Sequence, residues 1–244
     1  MPIDAITPQH IALYRDKRTA KVRANREVTL FSHIFNMARE WGYTAKENPC
    51  AGVRKNKEVP RDFYADEEIW DAVYAVAVEE LKDAMDIAYL TGQRPGDVRK
   101  MKVTDLKSDA LMVKQGKTGK FLKIVLDENG VLNGLGTLLE RLKARDRKVK
   151  SVYIVATPDG QPLTKGMMRL RFDDARAKAA AKAEEAENVE LAARIRKFQF
   201  RDIRPKAASE IKSLEDASKL LGHTKTQITK TVYRRTGEVV KPAK

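Results

Sequence analysis

One hairpin signal inside a mostly helical sequence pattern constrains the fold of this chain most strongly. Two β-rich runs, 111–114 and 121–126, are separated by the glycine-containing segment QGKTGK, which is typical of an antiparallel hairpin. A short apolar strand is also predicted at 151–156. Most other segments carry apolar residues at helical spacing, so few strands are available to extend the sheet.

Helix signals occur on both sides of the hairpin. Thr7 is a cap for a helix predicted at 8–18, and an apolar stripe predicts a longer helix at 25–41. Residues 51–60, AGVRKNKEVP, lack periodicity, which indicates a linker and a boundary near residue 60. Beyond that boundary, the pattern predicts helices at 66–78, 80–90, 131–143, 164–186, 205–211 and 214–221.

The helix predicted at 164–186 is rich in alanine and in charge. The run KAAAKAEEAENVELAAR, which begins inside it, has no sustained heptad of large apolar residues, and this argues against a coiled coil. We therefore predict a solvent-exposed helix or a helical insert. The polar, β-branched segment that precedes Tyr233 is predicted to be one weak helix or a mobile segment.

The charge of the chain indicates a polyanionic partner. Its 48 Lys and Arg residues exceed its 34 Asp and Glu residues, and the formal net charge is +14. Nucleic acid is the first candidate, since we find neither an 18-residue apolar run nor a lipid signal that would favour a membrane. The side chains predicted to contact DNA are Lys17, Arg18, Lys21, Arg23, Arg26 and Lys120.

The sequence predicts neither a metal nor a cofactor. Cys50 is the one cysteine, which excludes an internal disulfide and a cysteine-based zinc site. His33 has no second ligand at metal-binding spacing. A strand follows GKTGK, where a phosphate-binding P-loop requires a helix, so a nucleotide site is not predicted there. Together with the absence of a signal peptide, these features predict a cytosolic protein.

Several chemically capable residues lie at the ends of predicted elements. Arg94 follows a helix and precedes Pro95, where functional side chains tend to lie. His223 follows a helix that ends at Gly222, and Tyr233 lies among basic residues. Taken singly, each of these side chains is an ordinary surface or packed residue. Their order along the chain is what makes them informative.

The first half of this order resembles the tyrosine recombinases, the phage integrase family. Arg94 in TGQRPGDV is similar to the first arginine motif of the family, in which an acidic residue three positions later, here Asp97, supports the site. Lys117 in QGKTGK, followed by a strand, resembles the hairpin lysine of the family. The resemblance implies a catalytic role for Arg94 and Lys117.

The second half of the order completes the resemblance. Arg201 and Arg204 occupy the positions of the His-x-x-Arg motif, His223 matches the histidine of LGH, and Tyr233 matches the nucleophile. The family cleaves and rejoins DNA through a 3′-phosphotyrosyl intermediate, without a cofactor. We therefore expect all four side chains to be catalytic.

The resemblance implies an α+β fold. It predicts a mostly helical catalytic domain with a small antiparallel sheet at 59–244, preceded at 1–58 by a short all-α segment, part of a core-DNA-binding domain. It also implies a site-specific recombinase of a phage, prophage or genomic island. The expected partners are double-stranded DNA, further copies of the chain in a tetramer, and accessory DNA-bending proteins, at the nucleoid of a bacterial host.

Two departures from the family pattern keep alternatives open. Arg201 replaces a histidine, so a proton acceptor has become a permanent cation. About 60 residues precede the catalytic part, fewer than complete core-binding and arm-binding domains need, so the N-terminus is expected to be shortened. One alternative is a DNA-binding relative with weakened catalysis, such as a decayed prophage integrase. Another is a nicking-closing enzyme similar to type IB topoisomerases.

Overall fold

The computed structural model describes residues 1–146 and 149–235. The chain divides into two compact units, Met1–Arg61 and a larger one that begins at Asp62. Helices dominate both units, and no helix in the described ranges has the length and apolar character needed to cross a bilayer. The predicted α+β class, mostly helical with a small antiparallel sheet, is confirmed.

The first unit is built on two helices, α1 (Pro8–Lys17) and α2 (Lys21–Glu40). Thr7 caps α1 as predicted, because its side chain accepts a hydrogen bond from the backbone of His10. The start of α2 lies four residues before the predicted one. Buried Asn25 donates to the carbonyl of Asn56 at 2.9 Å, which holds the irregular segment after residue 50 against α2.

The helices of the second unit begin and end at clear local signals. Asp66 caps the first of them by accepting a hydrogen bond from the Ile69 backbone at 3.0 Å. Gly92 and Gly222 end two others in the left-handed conformation, at φ 62° and 68°, which favours glycine. The helices are α3 (Glu67–Val76), α4 (Glu79–Thr91), α5 (Pro95–Val98), α6 (Gly134–Ala144), α7 (Lys165–Glu185), α8 (Val189–Lys197), α9 (Ile203–Glu210), α10 (Leu214–Leu221) and α11 (Thr226–Ile228).

The predicted hairpin is present and forms the main sheet. Strands β1 (Ala110–Lys114) and β2 (Phe121–Val125) pair antiparallel, with Val113 opposite Leu122. A smaller hairpin that the sequence did not predict follows at once, made of β3 (Asp127–Glu128) and β4 (Val131–Leu132).

The prediction of a strand at 151–156 is wrong. This segment makes only two isolated bridges, Lys102 with Tyr153 and Ala156 with Pro162. Its apolar residues Ile154 and Val155 are buried in the core instead of lying in a ladder. The apolar run therefore reflects packing and not strand pairing.

The prediction of a solvent-exposed helix at 164–186 is also wrong in part. Helix α7 has the predicted extent, but one of its faces is in the core, where Met168 and Phe172 are buried. Four of its alanines, 175, 179, 180 and 183, are buried on that face, which packs against α3 and α8. Small side chains let these helices approach closely, so alanine serves packing here and not only helix propensity.

Candidate active site

Two helix ends converge on the side chain of Arg204. The second residue of α9 is Arg204, 3% exposed, and its guanidinium donates to the carbonyl of Gly92 at 2.5 Å and to that of Leu221 at 2.7 Å. Gly92 caps α4 and Leu221 ends α10, so both carbonyls lie at the negative ends of helices. These contacts offset part of the cost of burying the cation.

The Arg204 guanidinium stays charged at neutral pH. Burial and the nearby Arg94 cation lower its pKa to about 10, well above 7. Within the described part of the chain, its Nε is buried without a hydrogen-bond partner. A buried donor without a partner costs free energy, and an anion could supply the missing acceptor.

His223 contacts Arg204 directly. Its Nε2 lies 3.2 Å from the Arg204 guanidinium, and its Nδ1 lies 2.8 Å from the hydroxyl of Thr229. Since a guanidinium can only donate, Nε2 is the acceptor and Nδ1 carries the proton that is donated to Thr229. Burial, followed by the charges of Arg204, Arg94 and Lys120, lowers the pKa of His223 to about 4.

Tyr233 packs over the same cluster. Its ring centroid lies 4.8 Å from that of His223, and the Arg204 guanidinium carbon lies 5.1 Å from the Tyr233 ring centroid. Tyr233 ends a π-helical turn, Thr229–Tyr233, that follows α11. Of the two alternatives predicted for this segment, a weak helix or a mobile segment, the structure supports the helix. The phenol lies beside the two site residues of its own chain.

The backbone around Tyr233 is tied to the end of α9. The Ser209 hydroxyl donates to the Tyr233 carbonyl at 3.4 Å and accepts from the Arg235 amide at 2.7 Å. Arg234 donates to the carbonyls of Ile211 and Lys212, at 3.0 and 2.6 Å. These bonds fix the chain on the C-terminal side of the phenol and so limit where the side chain can reach.

Two buried amides that the sequence reasoning missed connect the elements of the site. Gln115 is fully buried and donates to the Gln93 side chain at 2.8 Å and to the Leu221 carbonyl at 3.0 Å. Its oxygen lies 3.5 Å from an Arg94 nitrogen, at the limit of a hydrogen bond. A Cβ at Gly222 would lie 2.8 Å from the Gln115 amide, so this position requires glycine for space as well as for φ. The only sequence signal was adjacency, because each glutamine lies next to a predicted motif residue or its loop.

Asp97 connects α5 with the tip of the hairpin. One carboxylate oxygen accepts from the Gly116 amide at 2.9 Å, and among the described residues the other is buried without a hydrogen-bond partner. Its charge acts to raise the Arg204 pKa, opposing the effect of burial. This position matches the supporting role that the resemblance implies for Asp97, and that role stays a prediction.

The hairpin lysines lie differently with respect to the cluster. Lys117 is exposed in the turn between β1 and β2 and makes no hydrogen bond or ion pair within residues 1–146 and 149–235. Lys120 is close enough for its charge to lower the His223 pKa. The structure therefore does not bring Lys117 into contact with the cluster, and its catalytic role stays a prediction.

Arg201 does not join the cluster either. It is exposed in the 3₁₀ turn Phe200–Asp202, just before α9, and has no hydrogen bond or ion pair in the described part of the chain. It lines a cavity together with Pro95 and Gly96, the residues that follow Arg94. The expectation that Arg201 contacts the reacting phosphate stays a prediction.

Most of the basic residues predicted to contact DNA in the first unit already have partners. Arg18 and Arg23 both pair with Glu27, at 3.0 and 3.1 Å. Arg26 pairs with Glu58 at 3.1 Å, and Lys21 donates to the Asp16 carbonyl at 2.8 Å. The Arg18 contact is the main cause that lowers the pKa of Glu27 to about 2. Lys17 is exposed, and DNA contact by these residues stays a prediction.

No metal centre is present among the described residues, because no three histidine, cysteine or acidic side chains there are arranged to hold an ion. Cations that face a neutral imidazole and a phenol form a site for an anionic ester, with the phenol as a nucleophile.

Comparison with known proteins finds a family that this chain matches. The model of the phage integrase family matches residues 65–238. The integrase of Enterobacteria phage 434 is 30% identical over 183 residues, which are 72% of this chain and 50% of that protein. The chain thus spans about half the length of that relative.

Solved structures share the fold. A lambda integrase dimer bound to a COC′ core site superposes with a TM-score of 0.76 at 23% identity, covering 100% of this chain and 85% of the other. A lambda integrase tetramer bound to a Holliday junction gives a TM-score of 0.74 at 23% identity, covering 99% and 69%.

The surroundings of His223 generate a pH prediction. We expect the His223 ring to titrate with a midpoint near pH 4, because burial and three cations disfavour its charged form. A folded pKa below the ordinary value of about 6.5 contributes stability that is present above that pH and is lost as the pH falls toward 4. NMR of the imidazole protons measures this midpoint once His10 and His33 have been replaced by glutamine.

Arg94→Gln tests the cause of this low midpoint, and Lys182→Gln is the matched control. Removing one of the charges that lower the His223 pKa should move the midpoint upward, whereas Lys182→Gln, on the distant end of α7, should not move it. A midpoint at or above about 6.5 in the unsubstituted site would contradict the description of His223 as neutral.

Proposed function

The chain belongs to the phage integrase family, and we propose that it is a site-specific recombinase that cleaves and rejoins duplex DNA through a 3′-phosphotyrosyl intermediate. The observation that carries this proposal is the assembly of Arg204, His223 and Tyr233 within one chain, with Arg94 nearby. Arg94 lies far from the other three residues in the sequence, and the fold of the second unit brings it near them.

The proposed chemistry begins with attack of the Tyr233 oxygen on a backbone phosphorus. The bond from phosphorus to the 5′-oxygen breaks, and the 3′-phosphate becomes esterified to the phenol. An ester is exchanged for an ester, so the bond energy is kept for rejoining when a 5′-hydroxyl attacks in turn. Neither metal nor hydrolysis is needed for this exchange.

Arg94 and Arg204 act on the transition state in this mechanism. Negative charge concentrates on the non-bridging phosphate oxygens, and guanidiniums can donate to such oxygens in pairs. The buried Nε of Arg204, which lacks a partner in the described residues, is one donor available for this purpose. Loss of one preorganised donor typically costs on the order of 10²- to 10³-fold in rate.

Proton transfers fall to the remaining side chains. The Tyr233 hydroxyl must pass its proton to solvent or to His223 as it attacks, and the Arg204 cation lies beside its ring. His223, neutral at pH 7, can accept a hydrogen bond at Nε2 once that nitrogen is released from Arg204. Lys117, on a hairpin turn exposed to solvent, is the proposed general acid for the leaving 5′-oxygen when DNA is bound.

The domain roles and partners follow from the same proposal. Residues 59–244 are proposed to be the catalytic domain, and 1–58 part of a core-DNA-binding domain. The lambda integrase dimer and tetramer on DNA support duplex DNA as the substrate and a tetramer as the active assembly. We place this assembly at the nucleoid of a bacterial host, with accessory DNA-bending proteins as further partners.

Replacement of the nucleophile tests the proposal. Tyr233→Phe should abolish covalent protein–DNA adducts while duplex affinity changes by less than about twofold, because only the phenolic oxygen can form the ester. The measurement is trapping in denaturing gels on nicked duplexes that cover the DNA flanking the gene. Strand exchange between two such duplexes separates a recombinase from a nicking-closing enzyme.

Tyr153→Phe is the matched control, since Tyr153 lies in the second unit outside the cluster. It should form adducts at the unsubstituted rate. Adducts that persist with Tyr233→Phe and vanish with Tyr153→Phe would show that Tyr153 is the nucleophile and would contradict the assignment to Tyr233. Absence of adducts from the unsubstituted chain would favour a relative that binds DNA without cleaving it.

Arg201 generates the second functional prediction. If Arg201 supplies a phosphate donor in place of histidine, Arg201→His should keep or raise the cleavage rate and add a step near a histidine pKa of about 6.5 to the pH profile. Single-turnover cleavage between about pH 5 and 8 measures both effects. A loss greater than about tenfold with no new step would show that the cation at 201 is needed for another purpose.

A further inference from the structure

A buried lysine lies on α9, two residues after Arg204. Lys206 is 4% exposed, and its ammonium nitrogen lies 5.5 Å from the ring centroid of Tyr64 and 5.9 Å from those of Trp70 and Tyr89. Aromatic rings at such distances attract a cation through their quadrupoles. The ammonium therefore lies in an aromatic shell that comes from α3, α4 and the segment just before α3.

Glu210, the last residue of α9, collects the hydrogen bonds of this cluster. One carboxylate oxygen accepts from the Lys206 ammonium at 2.6 Å and from the Tyr64 hydroxyl at 2.7 Å. The other oxygen accepts from the Tyr89 hydroxyl. Burial acts to raise the pKa of Glu210, but these three hydrogen bonds outweigh burial and hold that pKa below its ordinary value. The carboxylate is therefore ionised at neutral pH.

A buried ion pair of this kind is a poor source of stability. Removing two charges from water offsets most of their attraction, and apolar side chains of similar volume often serve a fold equally well. Hydrogen bonds to an ionised group are nevertheless short and strong, so they define geometry. The Glu210 cluster thus restricts where α9 can lie against its neighbours.

The cluster and the proposed site use the same end of α4. Arg204, near the start of α9, donates to the carbonyl of Gly92, the residue that caps α4. Tyr89, which donates to Glu210, precedes that glycine by three residues in the chain. Two bonds therefore tie α9 to the C-terminal end of α4, one near each end of α9.

The residue next to Glu210 supports the proposed nucleophile. Ser209 donates to the Tyr233 carbonyl at 3.4 Å and accepts from the Arg235 amide at 2.7 Å. The contacts of Glu210 fix the last turn of α9 and hence the backbone that carries Ser209. A displacement of this turn would move Tyr233 relative to Arg204.

We infer that Glu210 is a positioning residue for the cleavage reaction and acts through its hydrogen bonds with Tyr64 and Tyr89. These bonds hold α9 so that Arg204, at its start, and Tyr233, beside its end, are aligned on one phosphate. Lys206 supplies the counter-charge of the carboxylate. The inference rests on the proposed function, because it names the groups that align the proposed nucleophile.

Removal of the two tyrosine hydroxyls tests the inference. Tyr64→Phe combined with Tyr89→Phe keeps the rings around Lys206 and keeps the ion pair, so the fold should be retained. The single-turnover rate of adduct formation at saturating nicked duplex should fall by about 10- to 10²-fold, because a misplacement of about 1 Å can cost this much. Duplex affinity should change by less than about twofold, since no DNA contact is removed.

Tyr74→Phe is the matched control. It removes a hydroxyl that donates to Asp86 at 2.9 Å, which is a tyrosine–carboxylate bond of the same kind between α3 and α4. The control should form adducts at the unsubstituted rate. An unchanged rate in the double phenylalanine variant would overturn the inference, and so would an equal fall in the control. Circular dichroism at the assay temperature confirms that each variant is folded.

Substitution of the acceptor separates position from charge. Lys206→Met with Glu210→Gln removes both charges but keeps a carbonyl oxygen for the two hydroxyls, so most of the rate should remain. Lys206→Met with Glu210→Leu removes the acceptor as well, and its rate should fall to that of the double phenylalanine variant. Equal rates for these two variants would show that the tyrosine bonds do not position α9, and would overturn the inference.

The ring protons of His223 report the alignment without any cleavage of DNA. The His223 and Tyr233 ring centroids are 4.8 Å apart, so the chemical shifts of the imidazole depend on where the Tyr233 ring lies. These NMR signals should move in the double phenylalanine variant and stay in place in Tyr74→Phe. Signals that do not move would overturn the inference, whether or not adducts form. Signals that move in a chain that forms no adducts would keep the positioning role and remove the recombinase.

Discussion

The buried guanidinium of Arg204 is the interaction on which the rest of the site depends. It joins the carbonyl ends of α4 and α10 and contacts His223, so one side chain positions three parts of the chain. The negative ends of two helices favour its charge and keep it buried. The same arrangement explains two neighbouring residue types. Gly222 leaves room for the side chain of Gln115, and the Gln115 amide shares the Leu221 carbonyl with Arg204.

Much of this could be predicted from the sequence because its signals are local. Gly92 and Gly222 mark helix ends by their need for positive φ, and the residues that follow them, Arg94 and His223, thereby lie at element ends. The order of the motif then suggested that these side chains act together with Arg204 and Tyr233. The second unit brings them together.

What the sequence did not predict depends on long-range packing. The link from Gln93 to Gln115 joins segments 22 residues apart, and the burial of α7 depends on its neighbours α3 and α8. Nor could the places of Lys117 and Arg201 be derived, because both lie in exposed turns where no packing fixes the side chain. Their positions in the motif indicate a role in the reaction when DNA is bound. The fold of the chain alone determines only where their backbones lie.

The central claim is that the nucleophile acts within its own chain, with Tyr233 beside the Arg204 of the same chain. Mixing Arg94→Ala, which retains the tyrosine, with Tyr233→Phe, which retains the arginines, tests this most directly. The account predicts that the mixture forms no more covalent adduct on nicked duplex DNA than either variant alone. Adduct formation restored by mixing would show that the tyrosine is delivered from another copy of the chain, and would contradict the account.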